Sequence, residues 1–234
     1  FISNLTKKYD ARIKNIYLLC NSKYFYMESK DYLKDITEIK DLMNKSSRFI
    51  SLSGLSGILA GIYALVGAYF AHGIIAKIKV IKNPLKQFFV SFDSVETLLL
   101  IAISVILISI ITAFYLTRKK AKKQNEKIWN KTSKRLILNF LIPLLTGGIF
   151  SVILIAKGYF DLIASTLLIF YGLSCVNASK YTLGDIRYLG ITNIILGLLS
   201  TQFVGYGLYF WAVGFGIMHI VYGTWMYFKY DLKK

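Results

Sequence analysis

The sequence predicts an all-α integral membrane protein, a bundle of six transmembrane helices with its N-terminus and C-terminus in the cytoplasm. Three observations predict this class. Hydrophobic residues make up 55% of the 234 residues and charged residues only 18%, below the roughly 25% charged residues of an average soluble domain. The mean hydropathy is +0.52. Long apolar stretches also alternate with short basic clusters, which is typical of a chain that crosses a bilayer several times.

Residues 1–49 are predicted to form a cytoplasmic N-terminal segment. Residues 1–26 begin with Phe1 and show no helical or strand period, and the pattern changes at Met27, which we therefore take as a candidate native start. Residues 28–46 predict a short amphipathic helix, because apolar residues recur there at spacings of four, three and four. These residues are Tyr32, Ile36, Ile39 and Met43.

Residues 50–228 are predicted to form the six-helix transmembrane domain, because about 20 apolar residues are needed to cross a hydrocarbon core. The second span is the clearest, since residues 98–116 contain thirteen Leu, Ile, Val or Phe residues and no charge. The fifth is the shortest and includes Asn193. The six predicted spans are residues 50–75, 95–117, 136–156, 159–178, 188–203 and 207–228, followed by a basic cytoplasmic tail at residues 229–234.

The orientation follows from the positive charges between the spans. The N-terminal segment, the two loops on its side and the C-terminal tail together carry 24 Lys and Arg residues, whereas the segments on the opposite side carry five. Segments rich in Lys and Arg stay in the cytoplasm. Both termini are therefore predicted to be cytoplasmic.

The loop after the second span is a candidate contact for anionic lipids. The formal net charge is +17, but no nucleic-acid-binding motif accompanies it, so no direct nucleic-acid partner is expected. Anionic headgroups attract cations near the membrane surface. A cytoplasmic protein partner is the alternative. The candidate lipid contacts are Arg118, Lys119, Lys120, Lys122 and Lys123.

Small residues at helical spacing predict where helices pack closely, because lipid leaves van der Waals contact as the main attraction between helices. Packing within one chain is the expected use, and a homodimer through the first span is the alternative. The predicted packing positions are Ser53, Gly57 and Gly61 in the first span, Gly190 and Gly197 in the fifth, and Gly216 and Gly223 in the sixth.

Four polar residues within the spans are candidates for a polar pocket open to the cytoplasm: Asn139, Asn177, Asn193 and His219. Two of them, Asn193 and His219, are flanked by glycines at helical spacing and should face neighbouring helices. The alternative is that all four only form hydrogen bonds between helices, each contributing on the order of 0.6 kcal/mol.

No catalytic or metal site is predicted, and no cofactor is expected. Residues 54–57 spell the GxSG that resembles the nucleophile motif of rhomboid-type intramembrane proteases, and His219 would have to complete the dyad, but the two lie at different depths. Cys20 and Cys175 form no CxxC pair and are predicted to remain reduced. Histidines, cysteines and carboxylates do not cluster at metal-binding spacing.

Four stretches resemble a family of small multi-pass bacterial membrane proteins for which no activity is established. They are NKSSRFISLSGLSGILAGIYALVGAY, KIWNKTSKRLILNFLIPLLTGGIF, SCVNASKYTLGDIRYLGI and GLYFWAVGFGIMHIVYGTWMYFKYD, within a likeness that runs from about Met27 to the end. The resemblance implies a multi-pass protein of the bacterial plasma (inner) membrane. Genes of that family often neighbour a winged-helix regulator, which implies a regulatory role.

Taken together, these features favour a non-enzymatic binding or regulatory protein that acts through its cytoplasmic face, with membrane lipids as partners. Polar residues and most of the charge gather on that side. The first alternative is a transporter or exporter of an uncharged small solute, for which Pro143, Thr146, Gly147 and Gly148 suggest a helix break. The second alternative is a membrane enzyme, for which no nucleophile, acid pair or metal set is evident.

Overall fold

The computed structural model describes residues 52–76, 92–123 and 128–232, together with residues 14, 34–36, 81–82 and 88–89. The chain divides into two compact units, Phe1–Ser47 and Arg48–Lys234. Most of the predicted amphipathic helix at residues 28–46 lies outside the described residues, as do the predicted start at Met27 and the last two residues of the tail. Residues 34–36 are helical.

In the second unit, the described residues include six main helical segments, of which the first five are regular α-helices. The sixth, α6, is a continuous helical run in which two α-helical stretches alternate with two π-helical stretches. The bounds are α1 Gly54–Ile75, α2 Phe92–Lys123, α3 Lys131–Ala156, α4 Ile163–Ala178, α5 Ile186–Gln202, and α6 as Gly207–Trp211, Ala212–Ile217, Met218–Met226 and Tyr227–Asp231.

The all-α class is confirmed, and within the part of the chain that the structure describes four helices are long and apolar enough to cross a membrane. They are Gly54–Ile75, Val95–Lys123, Lys131–Ala156 and Phe160–Ala178, where the last includes a 3₁₀ turn before α4. These helices overlap the first four predicted spans almost completely. The fifth helix is 17 residues long and the sixth changes its hydrogen-bond period three times, so the six crossings stay a prediction.

Helix α1 packs against α6 through glycines that let the two backbones touch. A Cβ added to Gly61 would lie 2.6 Å from the carbonyl oxygen of Gly216, and one added to Gly223 would lie 2.6 Å from the amide nitrogen of Ile58. Gly57 lies opposite Gly223. The small-residue stripe of the first span is therefore occupied by contacts within the chain. The small residue Ser53 instead directs its hydroxyl to Asp231.

Helices α4 and α5 cross at an equally close distance. A Cβ on Gly172 would lie 2.5 Å from the carbonyl oxygen of Gly190, and a Cβ on Gly190 would lie 2.6 Å from that of Gly172. Further along the same interface, Gly197 approaches the backbone of Ser165. Gly172 lies opposite Gly190, and the earlier residue Ser165 lies opposite the later residue Gly197. Helices α4 and α5 are therefore antiparallel.

Helices α2 and α3 lie at the two edges of this packing. The main neighbour of α2 is α1, and the main neighbour of α3 is α4. The apolar window of α2 contains no buried residue, so most of its side chains are left to face hydrocarbon. Between α1 and α2, the described residues include a short antiparallel pair, in which Ile81 and Lys82 face Phe89 and Phe88.

Helix α3 runs without interruption through Pro143, so the helix break that this proline suggested is not present. Proline lacks the amide that would bond to the carbonyl four residues earlier, which here belongs to Asn139. Such a gap is tolerated in a membrane helix when a neighbouring group takes the freed carbonyl. The candidate site supplies that group.

Candidate functional site

Asn139 and Asn177 meet at the contact between α3 and α4. The side-chain Nδ2 of Asn177 donates to the backbone oxygen of Asn139 at 3.1 Å. This is the carbonyl that Pro143 leaves without an amide partner. The side chain of Asn139 donates to the oxygen of Arg135 within its own helix, at 2.8 Å. Asn177 therefore supplies the hydrogen bond that the backbone of α3 lacks because of Pro143, and we call this contact the repair of α3.

His219 has a comparable role in α6. Its Nδ1 lies 3.0 Å from the carbonyl oxygen of Gly214, and its Nε2 lies 2.6 Å from the hydroxyl of Tyr171 in α4. A carbonyl oxygen only accepts, so Nδ1 carries the proton and Nε2 of the neutral ring accepts from Tyr171. Gly214 lies in the π-helical stretch, where the amide of Met218 bonds to Val213. His219 thus ties the irregular turn of α6 to α4.

Asn193 is completely buried on the face of α5 that meets α6. Its Nδ2 donates to the oxygen of Leu189 at 2.9 Å, while its Oδ1 has no hydrogen-bond partner among the described residues. That oxygen lies 2.6 Å from the position that a Cβ at residue 214 would take. Glycine is therefore the residue type that fits at this position beside Asn193. The hydroxyls of Ser165 and Ser200 are likewise buried and unpartnered.

The four predicted pocket residues thus form two separate pairs rather than one hydrogen-bonded set. Asn139 and Asn177 join α3 to α4, whereas Asn193 and His219 meet around Gly214 inside the bundle. Every hydrogen bond that their side chains donate to protein goes to a backbone carbonyl. The structure therefore gives these residues roles in helix packing, and a shared pocket stays a prediction.

Tyr171 is the residue that the sequence analysis missed. It hydrogen-bonds to His219, and its ring contacts Phe140 of α3 and Phe215 of α6 at centroid distances of 6.0 and 4.9 Å. A tyrosine in the middle of an apolar span must find a partner for its hydroxyl. The position of Tyr171 within residues 159–178 was therefore a sequence signal for a polar contact. Tyr171 links α3, α4 and α6 through one aromatic cluster.

Removal of the Asn177 side chain tests the repair of α3. Asn177→Ala should lower the free energy of unfolding by about 1–2 kcal/mol, because the carbonyl of Asn139 would be left unpaired. In a Pro143→Ala background the restored amide takes that carbonyl, so Asn177→Ala should then cost much less. Thermal unfolding of the four proteins in detergent measures the difference. Equal losses in both backgrounds would contradict the repair.

An ionic cluster joins the beginning of α1 to the ends of α2 and α6. Asp231 accepts from the amide of Gly54 at 3.0 Å and from the hydroxyl of Ser53 at 3.3 Å, and it forms an ion pair with Lys120 at 2.5 Å. Lys120 also donates to the oxygen of Leu52 at 2.8 Å. A carboxylate at a helix N-terminus is stabilised by the free amides there. The first and last helices therefore meet at the same end of the bundle.

A second ion pair lies at this end, between Lys229 and Asp185 at 2.8 Å. The hydrogen bond to Asp185 raises the pKa of Lys229. Lys229 also lies over the ring of Tyr230. Because this lysine is exposed, the pair contributes little to stability.

The five predicted lipid-contact residues fall into two groups. Arg118, Lys119, Lys122 and Lys123 are exposed, whereas the side chain of Lys120 is only 12% exposed in its pair with Asp231. Lys120 is therefore turned into the protein, unlike its four neighbours, and lipid contact by those four stays a prediction.

The described residues contain no group of three His, Cys, Asp or Glu side chains that could hold a metal ion. The GxSG at residues 54–57 does not form a dyad with His219. The hydroxyl of Ser56 donates to the oxygen of Ser53 at 2.6 Å, and both ring nitrogens of His219 are bonded to other groups. Comparison with known proteins adds no further assignment: no protein-family model, no curated protein and no solved structure matches the chain.

Proposed function

We propose that this chain is a multi-pass plasma-membrane protein that crosses the bilayer six times and acts as a non-enzymatic binding or regulatory protein through its cytoplasmic face. Both ends of its transmembrane domain lie in the cytoplasm. The observation that carries the proposal is the contact between Asp231 and the amide of Gly54, since it brings the beginning of α1 and the end of α6 to one side.

Six crossings are supported by the pairing of the helices. At the opposite end of α1 and α6, the hydroxyl of Tyr209 lies 3.3 Å from Nε2 of His72, so these two helices run antiparallel along their length. Helix α5 reaches only about 26 Å at 1.5 Å per residue, which is short for a bilayer. Its contacts with α4 and α6 shelter the polar groups that a lone short helix would expose to lipid.

The cytoplasmic orientation is supported by the positive charge at this end. The exposed cations Arg118, Lys119, Lys122 and Lys123 end α2, and Lys131, Lys134, Lys180 and Arg187 flank the neighbouring helix ends. The opposite helix ends carry Lys157 with the acidic residues Glu96 and Asp161. Lys and Arg between spans stay on the cytoplasmic side. The face that concentrates ion pairs, amides and cations is therefore the face on which we expect a partner.

A pair of matched tyrosines tests this function. Tyr188 lies in the first turn of α5 at the proposed cytoplasmic end, Tyr206 precedes α6 at the opposite end, and both are 59% exposed. We expect the photoreactive substitution Tyr188→p-benzoylphenylalanine to give discrete partner adducts in intact cells, and Tyr206→p-benzoylphenylalanine to give only diffuse lipid adducts. Mass spectrometry of the purified protein identifies the adducts.

A labelling control keeps topology separate from function in that experiment. A membrane-impermeant maleimide should label Tyr206→Cys in intact cells and should label Leu232→Cys only after lysis, relative to the unsubstituted chain. Labelling of Leu232→Cys in intact cells would overturn the orientation. With the orientation established, equal adducts from both tyrosine positions would overturn the function at the cytoplasmic face.

A further inference from the structure

The cations at the proposed cytoplasmic end of α2 are sorted by the fold into an inward and an outward group. On α2, Arg118, Lys119, Lys122 and Lys123 occupy one half of the helix circumference, at spacings of one and four residues. Lys120 and Ala121 occupy the other half. Ala121 is completely buried, and Lys120 is held by Asp231 and Leu52. The helix therefore turns one cation inward and four outward.

The outward side of this helix is exposed. The apolar window of α2 has no buried residue. Residues 118–123 extend about 9 Å beyond the predicted end of the apolar span, while the headgroup layer of each leaflet is about 5–8 Å thick. With the predicted span in the bilayer, the four outward cations of α2 would reach headgroup depth.

Within residues 52–76, 92–123 and 128–232, the carboxylates at this end are already bonded to other groups. Asp185 is bonded to Lys229, and Asp231 is bonded to Lys120 and to the beginning of α1. The charge of this surface is therefore not neutralised by the part of the protein that is described around it.

We propose that Arg118, Lys119, Lys122 and Lys123 form a basic surface that binds the phosphate headgroups of anionic lipids in the inner leaflet. This inference rests on the proposed cytoplasmic orientation and names the partner of that face. A lipid fits better than an acidic protein, because the basic surface lies on α2, an edge helix whose apolar side chains are exposed. Phosphate headgroups occur at that depth and on that side.

Lys122 and Lys120 provide a matched pair for the test. Both are lysines near the end of α2, and each substitution by glutamine removes one charge. Lys122→Gln should weaken the preference for anionic lipid about fivefold, the factor that corresponds to about 1 kcal/mol for one cation near an anionic surface. Lys120→Gln should leave that preference unchanged and lower the melting temperature, because it breaks the pair with Asp231.

The measurement uses the full chain in nanodiscs with equal amounts of phosphatidylglycerol and phosphatidylcholine. Native mass spectrometry gives the ratio of the two lipids retained, and differential scanning fluorimetry gives the melting temperature. A quadruple variant with Arg118, Lys119, Lys122 and Lys123 changed to glutamine should lose the phosphatidylglycerol preference at an unchanged melting temperature.

Two results would overturn the basic surface. One is a wild-type protein that retains both lipids equally, which would point to an acidic protein as the partner. The other is a loss of preference in Lys120→Gln as large as in Lys122→Gln. Failure of the orientation is a separate outcome, since maleimide labelling of Leu232→Cys detects it independently of any lipid ratio.

Discussion

Replacement of Gly190 by alanine is expected to lower the free energy of unfolding by about 1–3 kcal/mol, and replacement by leucine to prevent the protein from folding as a monodisperse species. A Cβ at this position would lie 2.6 Å from the carbonyl oxygen of Gly172 and 2.9 Å from the amide nitrogen of Val176. Both obstacles are backbone atoms, which cannot rotate away as a side chain can. The two helices would have to separate.

Gly148 provides the control for this substitution. It also lies inside a membrane helix, but an added Cβ would meet nothing within 4 Å. Gly148→Ala should therefore be neutral, or stabilising by up to about 1 kcal/mol through helix propensity. Size-exclusion chromatography and thermal unfolding in one detergent compare the variants. Equal melting temperatures for Gly190→Ala and Gly148→Ala would show that α4 and α5 do not meet as described.

Asp231→Asn is expected to cost about 3 kcal/mol of unfolding free energy. The side chains of Asp231 and Lys120 are only 11% and 12% exposed, and loss of one partner leaves the other charge shielded from water without compensation. The substitution also removes the negative charge from the N-terminus of α1. We expect a large fall in the melting temperature with little change in helix content.

Asp185→Asn is the matched control, because its partner Lys229 is 43% exposed. An exposed pair of this kind contributes little to stability, so Asp185→Asn should lower the melting temperature much less than Asp231→Asn. Lys120→Met should partly rescue Asp231→Asn, since the double variant contains no unpaired charge, and the deviation from additivity measures the coupling. A double variant that is as unstable as the sum of its single changes would contradict the ion pair.

The four long apolar helices of the described residues could be predicted from sequence, because membrane insertion depends on the transfer of apolar residues and local composition reports that transfer. Residues 98–116 illustrate this, since their uninterrupted apolar side chains required no knowledge of any neighbour. The fifth helix was the uncertain one, because its Asn193 is acceptable in a membrane only when other helices surround it. That shelter is a tertiary property.

The polar residues show what the sequence could not resolve. The glycines around Asn193 and His219 predicted that both face other helices, and both are buried. Their hydrogen-bond partners could not be predicted. His219 bonds to Gly214, which lies in the π-helical stretch of α6, and the spacing of residues in the sequence does not indicate a π-helix. The sequence also could not show that Lys120 is turned into the protein while the neighbouring cations are exposed. Its partner Asp231 is 111 residues away along the chain, and only the fold brings the two together.

The bond from Asn177 to the carbonyl of Asn139 bears on how the chain enters the membrane. On its own, α3 would carry an exposed backbone oxygen into hydrocarbon at the turn preceding Pro143. Only a short connection around Gly158 separates α3 from the helix that supplies the missing donor. The two segments are thus suited to leave the translocon together as a helical hairpin, with the second completing the first before either meets lipid alone.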